Sequence, residues 1–214
     1  MPILTVIVGS IRPGRAGQPI AEWFINRARS HGGFEVEVAD LAEIRLPLME
    51  EPNHPRLRQY TSQHTHDWSA MIDRADAIVF VTPEYNYGYP ATIKNAIDYL
   101  HQEWKDKAAG FVSYGGIAAG TRAVQQLKQV ITTLKMVPVF ESVNIPFHTQ
   151  FIRDGRFHAN DVLEQASTAM LDELLRVDGA LRELRAETAS AVGASALYRE
   201  ITVSGTIADK RLSA

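Results

Sequence analysis

Three short stretches of this chain combine residue types that could do chemistry. The first is GSIRPGRAGQ, residues 9–18. It offers the Ser10 hydroxyl, the Arg12 and Arg15 guanidiniums, close-approaching backbone at Gly14 and Gly17, and Gln18 at the start of a helical pattern. A hydroxyl, positive charge and free backbone amides at a helix N-terminus make an anion site. Two arginines suit a doubly charged phosphate through charge-assisted hydrogen bonds. The spacing is not G-x-G-x-x-G, and no Lys-Ser/Thr pair follows, so neither a dinucleotide fingerprint nor an NTPase loop is indicated. A glycine-rich turn with solvated arginines is the plainer reading of the same residues.

The second stretch is VTPEYNYGYP, residues 81–90, and the third is SYGGIAAG, residues 113–120. Tyr85, Tyr87 and Tyr89 suit a planar aromatic ligand, since tyrosine stacks while keeping a polar tip. They alternate, so an extended backbone would set all three on one side and Asn86 with Gly88 on the other. Pro83 and Pro90 restrict the backbone, and Gly88 allows close approach or positive φ. Asn86 and backbone amides can meet a heterocycle's edge without adding charge. Tyrosines are equally at home in a subunit interface. The third stretch adds Ser113, Tyr114, Gly115 and Gly116. A flat ring between the second and third stretches, with its phosphate on the first, describes a mononucleotide with a large heterocyclic base. Flavin mononucleotide (FMN) fits that description.

The elements that must position these stretches follow from hydrophobic periodicity. Apolar strand-like runs lie at Ile3 to Val8, Phe34 to Val38, Ala77 to Val81, Ala109 to Ser113 and Met136 to Phe140, where Pro138 suggests an edge. Helical patterns lie at Gln18 to Ser30 and near Gln59 to Arg74, then through Ile93, Ile97, Leu100 and Trp104, and through Val124, Leu127, Ile131 and Leu134. A loop runs from about Glu141 to Asn160. Asp161 with Glu164 resembles a capping box opening a long last helix. Five β-α units predict an α/β fold: a flavodoxin-like, doubly wound, five-stranded parallel sheet of order 2-1-3-4-5 with helices on both faces. Such sheets bind ligands beyond the carboxyl ends of the strands near the topological switch point. That places the ends of the first, third and fourth strands together, and those ends are the three stretches above.

Composition narrows the function classes. The 214 residues carry 22 Lys and Arg against 25 Asp and Glu, a net charge of −3, which gives no electrostatic case for nucleic acid or an anionic membrane. It is also mild for an acidic electron carrier. Cysteine is absent, which removes disulfides, thiolate metal sites and thiol catalysis. His64 and His66 point different ways on a helix, and His148 and His158 lie in a loop without a carboxylate cluster, so no metal site is expected. The N-terminus has no basic n-region and no apolar run spans a bilayer, which makes a cytoplasmic protein the expectation.

GSIRPGR after the first strand, TPEYNYGYPATIKNAIDYL after the third and SYGG after the fourth resemble the NADPH-dependent FMN reductase family, which includes quinone, azo-dye and chromate reductases. The resemblance spans Pro2 to Phe140. It implies bound FMN, NADPH or NADH as co-substrate, a small electron acceptor, and dimers or tetramers. It implies that Ser10 and Arg12 hold the phosphate, while Pro83, Glu84, Tyr85 and Asn86, with Ser113, Tyr114 and Gly115, line the ring. Arg15, Gly17, Gln18, Tyr87 and Gly116 complete the candidate set. Many members carry Ser and Asn where this chain has Arg15 and Gly17. No side chain is required as a catalytic acid or base, and Glu84 is expected to pair with a neighbouring subunit's cation. A flavin reductase supplying a monooxygenase and a non-enzymatic electron carrier are the alternatives.

Residues 1–187 are assigned to the FMN-binding domain and residues 188–214 to a C-terminal tail. In that tail TASAVGASA reads as a linker and YREITVSGT as an extra strand. Docking on a partner subunit and disorder are both compatible with its composition.

Overall fold

The computed structural model describes residues 1–209, with side chains described for residues 1–187. Strand β1 (Ile3–Val8) leads into α1 (Gly17–His31), β2 (Glu35–Asp40) and the short α2 (Leu41–Ile44). Then come α3 (Gln63–Arg74), β3 (Ala77–Pro83), α4 (Ala91–Asp98), β4 (Ala108–Tyr114) and α5 (Thr121–Thr133). The strands pair in parallel in the order β2-β1-β3-β4, with β5 (Val137–Pro138) beyond β4. This is the flavodoxin-like order.

The central strands are apolar because both faces are covered. Every residue of β3 and β4 is buried. Alternation sends Ala77, Val79 and Val81 to the side of α1 and the last helix, and Ile78 and Phe80 to the side of α3, α4 and α5. Each large aliphatic or phenyl side chain so buried is worth about 1.5–3 kcal/mol. The indoles of Trp68 and Trp104 are buried too, and donate to Ala96 O (2.8 Å) and Ile97 O (3.1 Å). Ile93, Ile97, Leu100 and Trp104 all lie in this core. The apolar pattern after Pro90 is thus spent within the subunit.

The fifth strand position departs from the expected continuous strand. β5 stops after two residues, and β6 (Val143–Ile145) resumes pairing at the end of β4. Three steps along β4, from Ala109 to Val112, face five from Pro138 to Val143. The extra residues bulge outward, leaving Phe140 89% exposed. The expected loop beyond holds more structure: a 3-10 turn at His148–Phe151 and a hairpin of β7 (Ile152–Arg153) and β8 (Arg156–Phe157).

The last helix, α6 (Asp161–Asp209), packs beside α1. Its cap is Asn160, whose Oδ1 accepts from Leu163 N at 3.0 Å, so the cap falls one residue before the expected Asp161, and with Leu163 at N3 no capping box forms. Glu164 instead accepts from Trp23 Nε1 (2.8 Å) and Arg27 Nε (2.7 Å) of α1. The helix passes through 188–209 without a break, where a linker and a strand were expected. Small residues rich in alanine are common to linkers and to helices, and alanine favours the helix most.

Candidate active site

The loops after β1, β3 and β4 meet at the carboxyl edge of the sheet around a cleft of about 900 Å³. That is room for a mononucleotide. The first loop is held close to its neighbours. Gly9 N donates to Val81 O at 3.0 Å, and a Cβ on Gly9 would meet Ile93 Cδ1 at 2.3 Å. Ser10 is buried, and its Oγ lies 2.7 Å from the Tyr85 hydroxyl, which joins the first stretch to the second. Arg12 reaches the cleft and has no side-chain partner among the described residues. α1 begins at Gly17 after Ala16, with no side-chain cap, so the Gly17 and Gln18 amides are free for an anion, while Pro19 has no N–H and Ile20 N donates to Ala16 O. Gln18 also lines the cleft, with its amide donating to Glu22 at 3.1 Å.

Two residues of the first stretch act differently from expectation. Arg15 borders the cleft but is spent on Asp40 at the end of β2, in a bidentate pair of 2.6 and 2.5 Å, and on Ser10 O at 2.5 Å. The hydrogen bond to Asp40 raises its pKa against the opposing effect of burial. Its charge is therefore neutralised within the protein. Gly17 is not on the cleft wall. A Cβ there would sit 2.5 Å from the Tyr114 hydroxyl, so this glycine makes room for that ring.

The second stretch is a tight turn rather than an extended segment. Tyr85 N donates to Gly88 O at 2.8 Å and Gly88 N to Tyr85 O at 3.0 Å. Asn86 (φ 50°) and Tyr87 (φ 74°) carry the positive φ of a type I′ turn, so the left-handed positions fall there and not on Gly88. The turn splits the three tyrosines. Tyr85 lines the cleft, Tyr89 packs against the core, and Tyr87 with Asn86 is exposed away from the cleft. The Arg122 guanidinium stacks 3.8 Å from the Tyr87 ring centre. Arg122 also donates to Glu84 Oε1 at 2.7 Å, so Glu84 has a cationic partner within its own chain. Glu84 borders the cleft, and its Oε2 is buried without a hydrogen-bond partner among the described residues.

In the third stretch Tyr114, Gly115 and Gly116 line the cleft, and Ser113 does not. Ser113 is buried with Oγ 2.8 Å from Ala119 O and 3.0 Å from Asn144 Oδ1, where it braces the loop from beneath. Glu84 N donates to Tyr114 O at 3.2 Å, tying the second and third stretches together. Burial pushes the Tyr114 phenol upward, with Tyr85 adding to the effect. A fourth wall was not anticipated: His148, Thr149, Ile152 and Gly155, from the 3-10 turn and the hairpin. Its sequence signal is Asp154-Gly155, both at positive φ, which is the usual two-residue hairpin turn.

Residues 2–150 match the family described as NADPH-dependent FMN reductase. The chain belongs to the NADPH-dependent FMN reductase family. It is an oxidoreductase that depends on FMN and NAD(P)H. It is 41% identical over 149 residues to an NAD(P)H-dependent FMN reductase of Schizosaccharomyces pombe, covering 68% of this chain and 74% of that one. It is 35% identical over 178 residues to an NAD(P)H:quinone oxidoreductase of Solanum tuberosum, covering 78% and 86%. The fold is similar to that of the flavoenzyme FerB, an NAD(P)H:(acceptor) oxidoreductase from Paracoccus denitrificans. The TM-score is 0.68 at 21% identity, over 84% of this chain and 98% of FerB.

The cleft of this reductase fits FMN. One end offers an unpaired guanidinium, a buried hydroxyl and free helix amides, the donor set of a phosphate site. The other end has tyrosine and glycine walls and the Glu84 carboxylate, whose buried Oε2 has no partner among the described residues. Its Glu84 charge is balanced by Arg122.

Proposed function

We propose that this chain binds FMN in the cleft described above and passes electrons from NAD(P)H to small quinone-like or azo acceptors. The observation that carries the reading is one continuous cleft with an anion-binding end and a ring-lined end of balanced charge. Ser10, Arg12, Gln18 and the first-turn amides of α1 hold the phosphate. Pro83, Glu84, Tyr85, Tyr114, Gly115 and Gly116 enclose the ring. Arg15, Gly17, Asn86, Tyr87 and Ser113 shape those loops from behind.

When bound, FMN supplies the atom that takes up and gives back hydride, which is the cofactor's own chemistry. The chain positions and shields. The Glu84–Arg122 pair keeps a carboxylate beside the ring without net charge, and Ser10–Tyr85 locks the phosphate loop to the ring loop. Quinones and azo compounds are flat and uncharged, which matches an aromatic wall.

The test is the affinity of Arg12→Ala for FMN and for riboflavin, which lacks the phosphate. Loss of a charge-assisted hydrogen bond should weaken FMN binding by about 1.5–3 kcal/mol, roughly ten- to a hundredfold, and riboflavin far less. Equal losses for both ligands would refute the assignment of the phosphate end.

A further inference from the structure

An NAD(P)H–quinone reaction has a proton to find at every turnover. A hydride brings two electrons and one proton, while a quinone needs two of each to become a hydroquinone. The second proton comes from water and must reach the acceptor inside a cleft that shields it. Few groups of the chain could carry it. Arg12 and Arg15 keep their protons at any working pH. Tyr114 is pushed upward by burial. Glu84 is held by Arg122. Histidine is the side chain whose charge changes between pH 5 and 8, and His148 is the one histidine lining the cleft among the described residues.

The setting of His148 fixes which nitrogen could do this. Nδ1 lies 3.0 Å from Gly115 O. A carbonyl oxygen only accepts, so Nδ1 carries a hydrogen and donates it. The backbone N of His148 donates to the same oxygen at 3.3 Å. The ring meets Tyr114 edge-on at 5.3 Å and 68°. Nε2 is left to gain and lose a proton, and it has no hydrogen-bond partner among the described residues. The charged groups around the same cleft are Arg12 and the Arg15–Asp40 pair from the first loop, Glu22 from α1, and Glu84 after β3 paired with Arg122 of α5. Tyr85 and Tyr114 border it as phenols, and the hairpin behind it carries Arg153, Asp154 and Arg156.

The geometry points to His148 Nε2 as the atom that holds the turnover proton and delivers it to the electron acceptor. This rests on the reading of the cleft as the FMN and acceptor site. In the balance, NAD(P)H loses a hydride and becomes NAD(P)⁺. The quinone gains that hydride's two electrons and proton. The second proton leaves Nε2 for a quinone oxygen, and Nε2 refills from water.

The first test is an NMR titration of His148 Cε1–H in FMN-loaded protein, oxidised and then dithionite-reduced, with His148→Gln to assign the signal. Added negative charge in the cleft should move the titration upward by about one pH unit or more. The second test compares acceptors. His148→Gln keeps a donor for Gly115 O but cannot titrate, and His148→Phe keeps a ring against Tyr114. Both should lose quinone turnover by at least about tenfold. With ferricyanide, which takes electrons without protons, the loss should stay within about threefold. Bound FMN with an unmoved His148 titration, or quinone turnover restored by Gln, overturns this inference alone. Protein that binds no FMN overturns the reading beneath it as well.

Discussion

Arg12 and Arg15 lie three positions apart in one loop and do different work. Arg12 faces the cleft unpaired, whereas Arg15 is clamped to Asp40 with both side chains largely buried. Removing one member of a buried pair strands the other, so Arg15→Ala should cost about 3 kcal/mol in urea denaturation. Added FMN should restore little of it. Unchanged stability with FMN binding lost would show that Arg15 holds the phosphate directly. The sequence could not separate the two arginines, because the decisive partner lies 25 residues away at the end of another strand. Ser10 and Ser113 present the same problem: one follows β1 and the other lies near the end of β4, and only packing shows that one meets Tyr85 while the other lies under its loop. The tyrosine stretch departs from the extended form for a local reason. Alternation suggested extended backbone, but Asn86 tolerates the left-handed region and starts a reversal.

At the scale of elements, strands and helices were legible because both central strands are continuous apolar runs and the helices repeat at their own period. The fifth strand was not, since its interruption follows from the path of the chain around a bulge rather than from composition. The loop between α2 and α3 shows how such segments are held. Glu51 accepts from Thr61 N (2.8 Å), Thr61 Oγ1 (3.0 Å) and Ser62 N (3.0 Å), just ahead of α3. Burial opposes the charge, but the hydrogen bonds from Thr61 and Ser62 help to outweigh it, and the carboxyl is held down to about 2. A folded value below the unfolded one means stability present above about pH 4.5 and lost as pH falls towards 2. Much of Glu51 meets solvent, so Glu51→Gln should cost only about 1 kcal/mol at neutral pH. The difference from the parent should vanish in acid. A gap that persisted at low pH would mean that side-chain shape, not charge, fixes this loop.

For the whole molecule, the sheet order and its covering helices place three chemically distinctive loops together, which is why the site could be located before its geometry was known. Its fourth wall was hidden in a segment whose one strong signal was Asp154-Gly155. Assembly is a further proposal. Leu48 and Tyr87 are 82% and 63% exposed. Asn95 of α4 ties the Leu48 loop to the carboxyl end of the sheet through Met49 N and Pro47 O, the end where Tyr87 also lies. An apolar rim of this kind suits a homodimer with each cleft near the partner, and dissociation should then loosen FMN. Light scattering at micromolar concentration checks it, and a monomer with full FMN affinity and activity would count against it. No helix of the described residues is long and apolar enough to cross a membrane. The central claim is that the cleft carries FMN which NAD(P)H reduces. Its most direct measurement is the visible spectrum of the FMN-reconstituted protein under anaerobic conditions, before and after NADPH or NADH is added. The account predicts bound flavin bands that bleach on addition and return with a quinone, and protein that fails to bind FMN at micromolar concentration would contradict it.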